Sequence, residues 1–132
     1  YWDDYYKDFL SDSIFAVEDI RDLCKEYDIN LIVFSNPIYY KTYQQSEYYG
    51  YANYLNWLGG ATGGYYNFSG ENDITRNKNY YYEGSHYTEV VGDMIIDRIF
   101  NGKRDGTLES QGFGLYVTYD NLDELEKALA NH

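Results

Sequence analysis

The sequence predicts an α/β fold, and three features of its pattern carry that expectation. Between Leu10 and Tyr27 the apolar residues Leu10, Ile14, Val17, Ile20, Leu23, Cys24 and Tyr27 recur every three or four positions, the period of an amphipathic helix. Immediately behind it, Ile29 to Phe34 is a nearly unbroken apolar and β-branched run, the pattern of a parallel strand buried on both faces. A second helix and a second short strand then follow in the same order. Helix followed by buried strand is half of a βαβ unit.

The elements are expected as follows. Ser11, Asp12 and Ser13 offer side chains to cap the first helix. The first strand ends in Ser35-Asn36-Pro37-Ile38-Tyr39-Tyr40, where proline removes a ladder donor and stops the strand. Ligands of open α/β sheets gather beyond the carboxyl ends of their strands, so Asn36 and Tyr40 are candidate substrate-rim residues, against the plainer reading of a strand-exit turn. Thr42 to Leu58 forms the second helix, with Tyr48, Tyr51, Ala52, Leu55 and Leu58 on one stripe and Gly59-Gly60 as its stop. Tyr65 to Ser69 is a short strand. Val90, Val91, Met94, Ile95 and Ile99 mark a third helix closed by Asn101-Gly102, and Gly92 inside it suggests close backbone packing. Phe113 to Tyr119 alternates like a strand, and Asp120 to Glu124 resembles a capping box for a last helix through Ala130. Terminal His132 is expected to be disordered. The chain reads as one domain over 1–132, with 103–132 as an appended strand and helix beyond the seam from Gly102 to Gly112.

Composition narrows the partners. The 132 residues carry a net charge of −12, which disfavours nucleic acid and anionic membrane surfaces and favours a neutral or cationic partner. No run reaches the apolar length of a membrane-spanning helix, and the first residues lack the blocks of a signal peptide. The abrupt opening Tyr1-Trp2-Asp3-Asp4, without a methionine, suggests a piece of a longer protein. The single cysteine, Cys24, lies on an apolar helix face and leaves no internal disulfide. Nineteen tyrosines stand against one proline. Tyrosine faces suit sugars and interfaces, and an AT-rich coding sequence would enrich the same residue without functional meaning.

The stretch most suggestive of chemistry is Asn79 to Thr88, which sets Glu83 three residues before His86. A carboxylate at that step can accept the imidazole Nδ1 proton, fix the tautomer and leave Nε2 as a general base. The plainer reading is a solvated loop histidine beside an incidental acid. With two histidines, one of them terminal, a zinc site of ordinary ligand count is excluded. Glu71, Asn72 and Asp73 offer oxygens to a hard cation but lack the twelve-residue calcium-loop pattern. The paired glycines at 59–60 and 63–64 follow a helix and lack the Lys-Ser/Thr ending of a phosphate loop. No cofactor is expected.

Taken together, a buried strand ending in Asn36-Pro37, a helix, the strand Tyr66-Asn67-Phe68-Ser69 and an acid-x-x-His step opening a helix resemble the C-terminal half of SGNH (GDSL-like) hydrolases and acyltransferases. The nearest look-alikes are bacterial envelope proteins that O-acylate polysaccharide. The resemblance spans about Ser11 to Phe100. It implies a flavodoxin-like three-layer α/β/α sandwich of SGNH type, present as its C-terminal portion. It also implies a serine esterase or O-acyltransferase, outside the cell or at its envelope, acting on acyl esters of a glycan. Glu83 and His86 match the family's Asp-x-x-His block, with glutamate one methylene longer than aspartate. The family's Gly-Asp-Ser nucleophile block has no counterpart here: Ser11, Ser13, Ser35, Ser46, Ser69, Ser85 and Ser110 all lack its setting. The nucleophile is therefore expected on an N-terminal remainder of the same protein. Gly70-Glu71-Asn72-Asp73 matches the family's Gly-x-Asn-Asp block by letter, but only ten residues separate it from Glu83, and a surface turn is the better reading. The alternative from another class is a non-catalytic carbohydrate-binding or envelope assembly domain with a tyrosine-rich contact surface.

Overall fold

Residues 2–130 are described by a computed structural model, with side chains from Leu10 onward; they form a mixed α/β fold, and His132 lies outside them. Helix α1 (Trp2–Glu26) begins upstream of the first periodic residue, so Ser11, Asp12 and Ser13 lie within it instead of capping it. Its Ile14 and Val17 pack against the core. Arg21 donates to the carbonyls of Gly60 (3.4 Å) and Ala61 (3.0 Å), in the last turn of the helix Tyr51–Thr62.

Strand β1 (Phe34–Ser35) is followed by α2 (Tyr40–Glu47), α3 (Tyr51–Thr62) and β2 (Tyr65–Asn67). The single helix expected over 42–58 is thus two. Gly50, at φ 86°, breaks it in a left-handed conformation that side chains avoid. Gly59-Gly60 does not stop α3, which runs on to Thr62 and ends at Gly63 with φ 80°. Gly59 serves packing instead: a Cβ there would lie 3.2 Å from Val117 and 3.3 Å from Leu122, so glycine lets α3 approach the strand and helix that follow.

β1 pairs parallel with β2, Phe34 opposite Tyr66 and Ser35 opposite Asn67. β5 (Leu115–Val117) pairs antiparallel on the other side of β2, with Tyr65 opposite Val117, giving a sheet in the order β1-β2-β5. Alternate residues of β2 feed two cores. Tyr65 joins Tyr43, Leu55, Leu58, Val117, Leu125 and Leu129, while Tyr66 packs with the cluster of Phe68, Ile74, Val91, Ile95 and Phe113. The segment after Gly102 contributes to both: Phe113 enters the second core, and α6 (Leu122–Ala130) buries Leu125, Ala128 and Leu129. The capping box before α6 is made by Thr118 and Asn121 around a 3₁₀ turn, not by the acids of 120–124.

Two further expectations are corrected. The run Ile29 to Phe34 is not buried on both faces. Only Phe34 and Ser35 are strand, and Ile29, Leu31, Ile32 and Phe34 are exposed, because β1 has β2 on one side and no paired strand on the other among the described residues. The turn at Gly70 to Thr75 is not superficial. Glu71, Asn72 and Thr75 are buried, Asn72 Oδ1 accepts the amides of Ile74 (3.0 Å) and Thr75 (2.9 Å), and the Thr75 hydroxyl donates to Gly70 O at 2.7 Å. Inside the described residues no helix is long and apolar enough to cross a membrane.

Candidate functional site

Glu83 and His86 lie on a hairpin, not in a loop at the helix start. Strands β3 (Tyr81–Glu83) and β4 (His86–Tyr87) pair antiparallel, with Glu83 directly opposite His86 across the two-residue connection Gly84-Ser85. Helix α4 (Glu89–Phe100) begins only after Thr88. Cross-strand neighbours have Cβ atoms close enough for their side chains to meet. Glu83 Oε1 hydrogen-bonds His86 Nδ1. The Ser85 hydroxyl donates to Glu83 Oε1 at 3.0 Å, and the Ser85 amide donates to Oε2 at 3.2 Å. These bonds, His86 first, hold the Glu83 carboxyl below the usual carboxylate range.

The hairpin is seated on the exit of β1. Tyr39 N–H donates to Gly84 O at 3.2 Å, Tyr81 OH donates to Pro37 O at 2.5 Å, and the Tyr39 and Tyr81 rings lie 5.3 Å apart. The seat is tight: a Cβ on Gly84 would lie 2.6 Å from Thr42 Oγ1. Tyr87 OH reaches Asn36 Oδ1 at 3.4 Å. Asn36 is therefore tied to the strand that carries His86, through Tyr87. Tyr40 is one step further away, starting α2 with its ring against Tyr39 at 4.9 Å and its amide on Thr75 O at 3.0 Å.

A buried polar chain fixes the strand exits beneath this rim. Ser35 Oγ donates to Asn67 Oδ1 (2.8 Å) and accepts the Phe68 amide (3.1 Å), while Asn67 Nδ2 donates to Ser69 O (3.0 Å) and Gly112 O (2.9 Å). Ser69 Oγ donates to Asn36 O at 2.7 Å and lies 3.3 Å from Tyr51 OH. Every bond in the chain replaces one that burial removed from water. Ser35 and Ser69 are thus structural, and sequence patterning carried no sign of it, because a serine in a strand looks alike whether buried or solvated. Tyr87, which links His86's strand to Asn36, was legible only once the hairpin was known.

The arrangement can orient an imidazole and hold it beside a carboxylate. Nδ1 is engaged by Glu83, so Nε2 is the nitrogen open to proton transfer. Ser85 is on the wrong side to be its nucleophile, since its hydroxyl lies 3.3 Å from Nδ1. The pair is also open to water, with 76% of the His86 side chain and 57% of the Glu83 side chain exposed. A cleft of about 280 Å³ lies apart from the pair, lined by Phe68, Met94, Arg98, Leu108, Glu109 and Phe113. No group of three or more His, Cys, Asp and Glu that could hold a metal ion occurs among the described residues. Comparison of the chain with family models, with curated proteins and with solved structures gives no match in any of the three.

Proposed function

We propose that this chain is the acid-base half of an SGNH-like serine esterase or O-acyltransferase, with a flavodoxin-like α/β/α architecture completed by the N-terminal remainder of the same protein. The observation that carries the reading is the Glu83–His86 bond, made through Nδ1 on a hairpin docked against the β1 exit. In the proposed reaction a serine outside this chain attacks an acyl ester, and His86 Nε2 takes the serine proton. Glu83 stabilises the imidazolium, and His86 then returns the proton to the leaving oxygen. The acyl group passes to a sugar hydroxyl or to water. A glycan of the bacterial cell envelope is the proposed substrate, with Asn36 and Tyr40 at its rim.

The test is hydrolysis of a chromogenic acetyl ester by the full-length gene product. His86→Ala abolishes it, and Glu83→Gln lowers the rate at least tenfold, about 1.4 kcal/mol of transition-state stabilisation. Equal rates in His86→Ala and the parent protein would end the proposal.

The second reading, a glycan-binding or assembly domain, is favoured by the exposed aromatics Trp57 and Tyr119 around a shallow groove with Ile14, Gly60 and Leu122. Aromatic faces of this kind stack on neutral sugars. Titration of neutral glycans against the fluorescence of a Trp57-dependent signal, compared with Trp57→Ala, separates it from the enzymatic one.

A further inference from the structure

The cleft of about 280 Å³ shares no lining residue with the Glu83–His86 hairpin. It is built from α4, from α5 (Gly106–Ser110) and from Phe68 just beyond β2. Four of its side chains are apolar. Phe68 and Phe113 meet edge to face with their rings 5.0 Å apart, and Met94 of α4 and Leu108 of α5 join them. The rest of the lining is mostly charged. A largely apolar concavity with a few fixed polar groups is the form of a small-ligand site.

The charges around the cleft are unequally paired. Lys103 bonds Asp97 at 3.2 Å, and the Asp105 carboxylate accepts the Leu108 amide at 3.0 Å. Glu109 accepts from Arg104 at 2.6 and 3.0 Å. Arg98 is left with less. Its Nε donates to Gly114 O at 2.8 Å, but its Nη2 stops 3.9 Å from Glu109, beyond hydrogen-bond reach. Among the described residues the Nη groups of Arg98 bond no acceptor, although the side chain is only 13% exposed. Donors kept from water without an acceptor destabilise the site until one arrives. Gly114 and the Tyr66 ring, whose centroid lies 5.0 Å from the guanidinium carbon, hold the fork in place.

The ligand follows from this geometry. Three cations and three carboxylates line the cleft, so its field does not favour a polyanion, and a cation would meet the guanidinium of Arg98. Two parallel N–H groups on the Nη edge match the two oxygens of a planar carboxylate. The cleft volume is about nine times the ~30 Å³ share of a liquid water molecule, room for about eight or nine heavy atoms. We infer that the cleft binds a monocarboxylate with an apolar body of about six to eight carbons, its head on the Nη edge of Arg98 and its body against Phe68, Met94, Leu108 and Phe113.

This site is separate from the proposed ester chemistry, and its test reads no catalysis. Hexanoate is titrated into the full-length gene product at neutral pH while the Met94 methyl resonance, assigned with Met94→Leu, is followed. A saturable shift with a Kd of about 1 mM or tighter is expected. Hexan-1-ol and hexylammonium are expected to bind at least about tenfold more weakly, since neither offers the fork two acceptor oxygens. Arg98→Lys keeps the charge, loses the fork and is expected to weaken hexanoate at least about tenfold. Arg104→Gln, at a side chain 68% exposed, is the variant to use where Arg98→Lys does not fold. It is expected to weaken hexanoate as well, because Glu109 then draws Arg98 toward itself. No saturable shift up to about 10 mM hexanoate, either control binding as tightly as hexanoate, or unchanged affinity in a folded arginine variant would each overturn the inference.

Discussion

Three residues define the chemistry available at the rim. Glu83 accepts from both His86 and Ser85, and these bonds keep it ionised below the pH at which a free glutamate, with its ordinary value of 4.5, takes up a proton. The sign follows directly: a carboxyl whose folded value is lowered keeps its charge as pH falls through the ordinary value and loses it only below. The Glu83 carboxyl is therefore expected to stay ionised as pH falls through 4.5, read from its carboxyl carbon resonance in an NMR pH titration, and to move back toward the ordinary value in Ser85→Ala/His86→Ala. A carboxyl that titrates alike in the parent protein and in that variant would show that it is not held as described. The Glu83–His86 partnership was legible in the sequence because it needs only a short spacing. The roles of Ser35, Ser69 and Tyr87 were not, because each depends on a partner more than thirty positions away, as in Ser69 Oγ to Asn36 O, 33 positions apart.

Among the elements, the β3–β4 hairpin is the one whose placement decides whether the pair faces the β1 exit. Its seat depends on the missing side chain of Gly84. Gly84→Ala drives a methyl into Thr42 Oγ1 and is expected to cost about 1–3 kcal/mol in urea unfolding, with Gly84→Ala/Thr42→Ala recovering most of it. Gly92 in α4 has a different character. A Cβ there would lie 3.9 Å from the Tyr87 ring, an ordinary contact, so the close packing expected from the sequence is absent. Gly92→Ala should then stabilise the protein by about 0.5–1 kcal/mol, read as a rise in Tm, since the helix gains a better former without a clash. Helix existence was readable from periodicity, and helix ends were not. Gly59-Gly60 looks like a stop in one dimension, and only the closeness of Val117 and Leu122 shows why α3 needs a glycine in its interior.

At the scale of the whole molecule, the chain carries a net charge of −12 and holds the buried carboxylate Glu109 in an arginine network. Burial pushes Glu109 up, but Arg104 bonds at 2.6 and 3.0 Å, the Asp105 amide at 3.0 Å and Arg98 at 3.9 Å outweigh it, leaving the carboxyl below its usual range. Arg98 also ties α4 to the β5 entry through Gly114 O at 2.8 Å and lies over the Tyr66 ring. A lowered carboxyl contributes its stability above the unfolded value and loses it as pH falls through the folded one. Glu109→Gln is accordingly expected to lower Tm at pH 7 and to flatten the fall of Tm below about pH 4.5, where the parent protein would lose the same contribution. The α/β class was legible from alternating helical and strand patterns. The position of β1 at an edge was not, since an apolar run records the burial that a strand is suited to and carries no count of the neighbours it finds.

In the proposed reaction His86 is the base for a serine supplied by the same protein. Covalent labelling of the full-length gene product with a serine-directed fluorophosphonate, followed by gel fluorescence and peptide mapping, tests it most directly, because attack on phosphorus needs both the nucleophile and its base. Labelling is expected at one serine ahead of α1, lost in His86→Ala and weakened at least tenfold in Glu83→Gln. An absence of labelling in the parent protein, or labelling that persists undiminished in His86→Ala, would contradict it.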